Sequence, residues 1–134
     1  MTQNVTTSKR PQIAVLANIY KTHLHTQHII DRILDGYGFG GVYYHSPLDV
    51  VSIYVEQRGD GDLVPERAKR HPGMKVYSSV ADALTRGTGK LAVDGVVYIG
   101  EQGNYPRNEK GQTLYPRYQF FQKAVEVFRT TLAG

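Results

Sequence analysis

Apolar and polar residues fall in blocks along this chain, and the blocks predict alternating strands and helices. Residues 12–20, QIAVLANIY, form an apolar run interrupted only by Asn18, the pattern of a strand covered on both faces. Residues 26–37 place Ile29, Ile30, Ile33 and Leu34 at three-and-four spacing, and the glycines at 36, 38, 40 and 41 stop that first helix. An irregular aromatic connector is expected over residues 42–47. A second strand, VVSIYV, covers residues 50–55 and ends on Glu56 before the turn-rich RGDGD. A short helix over 64–70, stopped by His71-Pro72-Gly73, leads to a third strand over 74–77. Ser79 is placed to cap a helix over 80–84, residues 94–99 form a fourth strand, and residues 118–132 form an amphipathic helix presenting Phe121, Ala124, Val125 and Phe128 on one side.

Strands separated by helices imply right-handed crossovers and a parallel sheet covered on both faces. The expected architecture is therefore α/β, a Rossmann-like doubly wound parallel sheet in three layers (α/β/α) with strand order 3-2-1-4. Winding reverses between the first and fourth strands, so a ligand is expected in the crevice outside their carboxyl ends. Two loops meet there, residues 19–28 and residues 100–117.

The second loop, GEQGNYPRNEKGQTLYPR, holds most of the candidate chemistry. Turn-formers exclude regular structure, while tyrosines interleaved with both charge signs suit a shaped surface. Glu101, just past the fourth strand, is the first candidate for a functional group, with Tyr105, Arg107 and Lys110 as further candidate catalytic residues. Arg107 and Arg117 are suited to grip a carboxylate or phosphate, and Tyr115 to stack on a ring. The alternative is that Glu101, Arg107, Glu109 and Arg117 pair with one another to hold the loop in shape.

His23, His25 and His28 spell H-x-H-x-x-H. Three or four converging ligands would be needed for a metal, and polar residues lining the crevice are expected instead, with His25 and His28 as substrate contacts beside Tyr115 and Arg117.

Composition narrows the classes. The 134 residues are one domain's worth, 12–134 after a short disordered tail over 1–11 with no apolar leader. No apolar run approaches the roughly 20 residues of a membrane span. Cysteine is absent, which excludes disulfides and permits a reducing compartment; the cytoplasm is the expected location. The net charge of +4 is dispersed, and its one cluster, Arg67, Lys69 and Arg70, reads as a solvated helix face rather than a nucleic-acid patch. His71 reads as a helix-terminal residue facing the dipole.

The run ERAKRHPGMKVYSSVADAL followed by LAVDGVVYIG resembles the nucleotide-binding domain of the glucose-fructose oxidoreductase and inositol dehydrogenase family, over residues 13–99. There a helix, a short strand, a capped helix and a further strand follow in the same order. The loop after Ile99 also resembles a motif in an uncharacterised group of longer oxidoreductase-like proteins. The resemblance implies an NAD(P)-type nucleotide site, with Asn18, Tyr20 and Lys21 after the first strand and Glu56 after the second as cofactor contacts. Two departures stand against it. Ala17-Asn18-Ile19-Tyr20-Lys21-Thr22 contains no glycine where the fingerprint needs three, and Lys21 replaces backbone amides only in part as a phosphate contact. The chain also stops before a fifth strand, so a half-fold and the first part of a longer protein are both open.

Two functions follow as expectations. The first is a nucleotide- or small-anionic-ligand-binding domain of an oxidoreductase-type protein, with chemistry completed by another domain. The second is a non-catalytic binding or oligomerisation module that has lost the dinucleotide site, marked by exposed apolar surface on the last helix or the open sheet edge.

Overall fold

The structure, a computed structural model, describes residues 9–133. Its elements are β1 (Gln12–Ile19), α1 (His25–Asp35), β2 (Tyr37–Phe39), β3 (Val42–Tyr44), β4 (Asp49–Gln57), α2 (Val64–Arg70), β5 (Lys75–Val76), α3 (Val80–Thr85), β6 (Gly95–Ile99) and α4 (Arg117–Ala133). Four strands form one parallel sheet in the order β5-β4-β1-β6. As numbered, this differs from the expected 3-2-1-4, because β2 and β3 lie between β1 and the next member of the sheet.

The extra pair is an antiparallel hairpin where an irregular connector was expected. Gly36 ends α1 at φ +83, its N–H bonded to Arg32 O at 3.0 Å; a Cβ there would lie 2.5 Å from Tyr44 O. Gly40 and Gly41, at φ +59 and +79, then make the two-residue turn whose twist suits a hairpin. These glycines stop the helix, as expected, but they also turn the chain back on itself.

β1 is the central strand, and its continuous apolar run reflects covering on both faces. Ile13, Val15 and Ala17 pack with Ile30 of α1 and Val64 of α2. Ala14 and Leu16 pack on the other face with Val80, Ala83 and Leu84 of α3 and Phe120 and Ala124 of α4. The fold is thus mixed α/β, a four-strand parallel sheet with helices on both faces, consistent with a Rossmann-like arrangement. A register shift between Ile13 and Ala14 pairs these neighbours with Val50 and Ser52. It lets Val50 and Ile53, three residues apart, face the same core, while buried Ser52 donates to Ala83 O at 2.6 Å.

Two sequence expectations change here. The last helix buries Phe120 and Ala124 rather than Phe121, because the Phe120 ring stacks between Tyr98 (4.4 Å) and Tyr54 (5.9 Å). Arg67 is not on a solvated face: it is buried and grips Asp31 of α1 with two bonds of 2.7 and 2.8 Å. His71 terminates α2 as expected, and its Nε2 also lies 2.7 Å from Asp35. Of the tail expected over 1–11, residues 1–8 lie outside the described residues, while Arg10 and Pro11 bond to Asp49.

Candidate site at the carboxyl ends of β1 and β6

The two loops predicted to meet do so through Gln102. Its backbone oxygen accepts from Asn18 Nδ2 at 3.4 Å, and its side-chain Oε1 accepts the His25 N–H at 2.8 Å. The second bond satisfies one of the donors that the start of a helix leaves open, where Leu24, the N-cap residue of α1, supplies no side-chain oxygen. Gln102 adopts φ +63 to make both contacts. Asn18 is fully buried at the end of β1, and its Oδ1 accepts from the Tyr98 hydroxyl at 2.7 Å. Burial, with help from the Glu56 charge, pushes the Tyr98 phenol up to about 12, so at neutral pH it is a donor and not a base.

Beyond Gln102 the loop crosses to β4. Asn104 N donates to Gln57 Oε1 (2.7 Å) and Gln57 Nε2 donates back to Asn104 O (2.8 Å), a reciprocal clamp. Gly103 permits it: at φ +109, a Cβ there would lie 3.0 Å from Gln57 Oε1 and 2.6 Å from the Tyr105 ring. Tyr105 donates to Glu56 at 2.7 Å, and burial followed by that hydrogen bond raises its pKa well above the ordinary 10.0. Tyr115 meets the Tyr105 ring edge-on at 5.9 Å. Arg117, the first residue of α4, lies over Tyr115 at 4.8 Å, donates through Nε to Gly100 O (3.0 Å) and through Nη2 to Glu101 Oε1 (2.6 Å).

A hollow of about 330 Å³ opens between α1 and the start of α4, lined by His25, Ile29, Tyr98, Ile99, Gly100, Glu101 and Arg117. Larger hollows lie between α3 and α4 (about 790 Å³), at the amino ends of the strands (about 540 Å³), beside Glu56 at the ends of β4 and β5 (about 490 Å³) and on the hairpin (about 380 Å³), but none of them is lined by residues of both loops. The small hollow holds one cation, one carboxylate and one imidazole around an apolar floor, chemistry suited to holding a small charged molecule.

Among the predicted site residues, Glu101, His25 and Arg117 share this hollow, while Tyr105, Tyr115 and Glu56 form an adjoining wall over β4. Others are elsewhere. Tyr20 is buried against Asp31 and Arg67, so it is not a cofactor contact. Lys21 lies at the Gly61 turn, 3.7 Å from where a Cβ on that glycine would stand. Arg107 is exposed and joins a β-bridge with Thr113; Lys110 is exposed on the turn closed by the Asn108 side chain. His28 is exposed on α1. Among the described residues no group of three or more His, Cys, Asp or Glu is placed to hold a metal ion, and no helix is long and apolar enough to cross a membrane. Gln102, Gln57 and Tyr98 organise the site and carried no sequence signal, being neutral side chains whose partners are 47 to 84 residues away.

The residues present do not fit a dinucleotide bound in the usual way. A pyrophosphate at the start of α1 needs a glycine turn for close backbone approach. Here Gln102 occupies the His25 N–H, and Asn18, Ile19 and Tyr20 are buried before the turn. No family model, no curated protein and no solved structure matches the chain.

Proposed function

We propose that the chain is the ligand-binding domain of an oxidoreductase-type protein, taking a small carboxylated or phosphorylated molecule, such as a mononucleotide, at the crevice between β1 and β6. One observation carries the reading. Two loops about eighty residues apart in sequence are tied by Gln102 around a hollow that presents Arg117, His25 and Glu101 together. Arg117 gives its Nε and Nη2 to Gly100 O and Glu101 and stacks on Tyr115, so the guanidinium plane is held in a fixed orientation. Its Nη1 has no partner among the described residues and is the group a ligand oxygen would take. Ile29 and Ile99 give the ligand's apolar part a surface, and His25 supplies a second polar contact. The proposed role is recognition, since none of the described residues lining the hollow is a serine, threonine, cysteine or lysine.

Isothermal titration with nucleotides, sugar phosphates and sugar acids tests this. A ligand that binds wild type, weakens at least about tenfold with Arg117→Ala and is unaffected by Arg107→Ala is the expected result. Equal binding by Arg117→Ala, or no binding by any of the three classes, overturns it.

A further inference from the structure

The last helix has two apolar stripes, and the sheet uses one. Phe120 and Ala124 pack inward, with Val127 and Phe128 partly buried against them. Tyr118, Phe121, Val125 and Leu132 form a second stripe along one flank of the helix, beside the partly buried Phe128. Tyr118 is 69% exposed, Phe121 66% and Leu132 86%. The position of this stripe follows from the helix itself. Lys123, Glu126 and Thr130 line the groove facing α3, which packs on β1 and β4. The opposite flank, with Phe121 and Val125, therefore faces the side where β6 is the last strand.

β6 is an unprotected edge. Among the described residues it pairs only with β1, and Gly95-Val96-Val97-Tyr98-Ile99 contains no charge and no proline, the devices that ordinarily blunt an edge.

We propose that a second copy of this chain covers both features, through an antiparallel β6–β6 pairing and an antiparallel α4–α4 seam. A single two-fold axis perpendicular to the sheet closes both at once: it continues the sheet from four strands to eight and lays the two α4 helices side by side on the same face. Centred on Val125, this seam sets Tyr118 against Leu132 of the other copy and Arg129 against the ring of Phe121, a cation–π pairing. The seam holds no carboxylate and brings no two like charges into opposition, Gln122 being the other polar flank. At about 200 Å² per aromatic side chain, the exposed parts of Tyr118 and Phe121 alone offer roughly 270 Å², a third of the ~800 Å² per partner of a stable interface. Leu132, Val125 and the β6 edge extend it. Tyr98 and Ile99 of β6 border both this surface and the ligand hollow, so the dimer is read on the ligand-free chain, apart from ligand binding.

Sedimentation of the full chain tests it. Wild type is expected as a dimer at tens of micromolar, and Phe121→Asp, unchanged in far-UV circular dichroism, to dissociate on the order of 30-fold or more readily. Hydrogen exchange gives a second measure that needs no variant: the β6 amides that point away from β1 become protected as concentration rises. A wild-type monomer at roughly 300 µM overturns the proposal. So does a dimer that Phe121→Asp leaves intact, or protection of the edge-facing β6 amides that is independent of concentration, which would assign the edge to another polypeptide segment.

Discussion

Arg67 and Arg117 are built from the same parts and placed to different ends. Each guanidinium lies over a tyrosine, Tyr20 at 5.9 Å and Tyr115 at 4.8 Å, and each binds a carboxylate. The Arg67 and Asp31 side chains are 10% and 21% exposed; those of Arg117 and Glu101 are 53% and 48%. Around Arg67 every strong acceptor is supplied by the chain: Asp31 takes two bonds, Glu66 a third, and Asp31 also accepts the Tyr20 hydroxyl. That network staples α1 to α2. Around Arg117 one nitrogen and one face remain open to a hollow. Residue types alone do not separate an anchor from a site; the acceptors left over, and the water that reaches them, do.

This contrast can be broken most forcefully at the anchor. Arg67→Ala leaves Asp31 and Tyr20 with a partly buried, uncompensated charge, and a loss of about 3–5 kcal/mol is expected from urea unfolding. Asn18→Ala, which removes the buried link between Tyr98 and Gln102, should cost about 1–3 kcal/mol in the same assay. Acid sharpens the comparison without mutation. Burial works to raise the Asp31 pKa, but Arg67 and Tyr20 outweigh it and hold the carboxyl below its ordinary 3.8. Its stabilising contribution is therefore complete above 3.8 and is withdrawn as pH falls through the folded value, and Arg67→Ala should flatten that part of the urea-midpoint profile. Glu101→Ala should shift stability by less than about 1 kcal/mol, as expected for an exposed pair, while weakening ligand binding through a misplaced Arg117. A large stability loss there would make Arg117 a second anchor and remove the case for a site.

Much of the frame is legible from the residues because burial writes itself into hydropathy. The run 12–20 reads as a strand since both of its faces are covered, and Ser79 reads as a cap because its hydroxyl has one local task, accepting Asp82 N at 3.0 Å. What fails to show depends on partners far away. Arg67 looks like a surface residue until Asp31, 36 positions earlier, is brought beside it. The last helix offers two stripes, and only the rings of Tyr54 and Tyr98 decide which is buried. Glu101, His25 and Arg117 could be placed together from topology alone. Gln102, which joins their loops, could not, since a neutral amide in a polar loop is silent in any pattern.

The position of β1 has a mechanical consequence for the crevice. This strand is paired on both sides and buried from Ile13 through Tyr20, so the wall that grows from it is a fixed jaw. The opposing wall hangs from an edge strand and is exposed along most of residues 101–114, held at Gln57, Glu56 and Gly100 by separate hydrogen bonds. In the proposed complex, differences in ligand length would be taken up by displacement of that second jaw while the geometry at Asn18 and His25 stays constant.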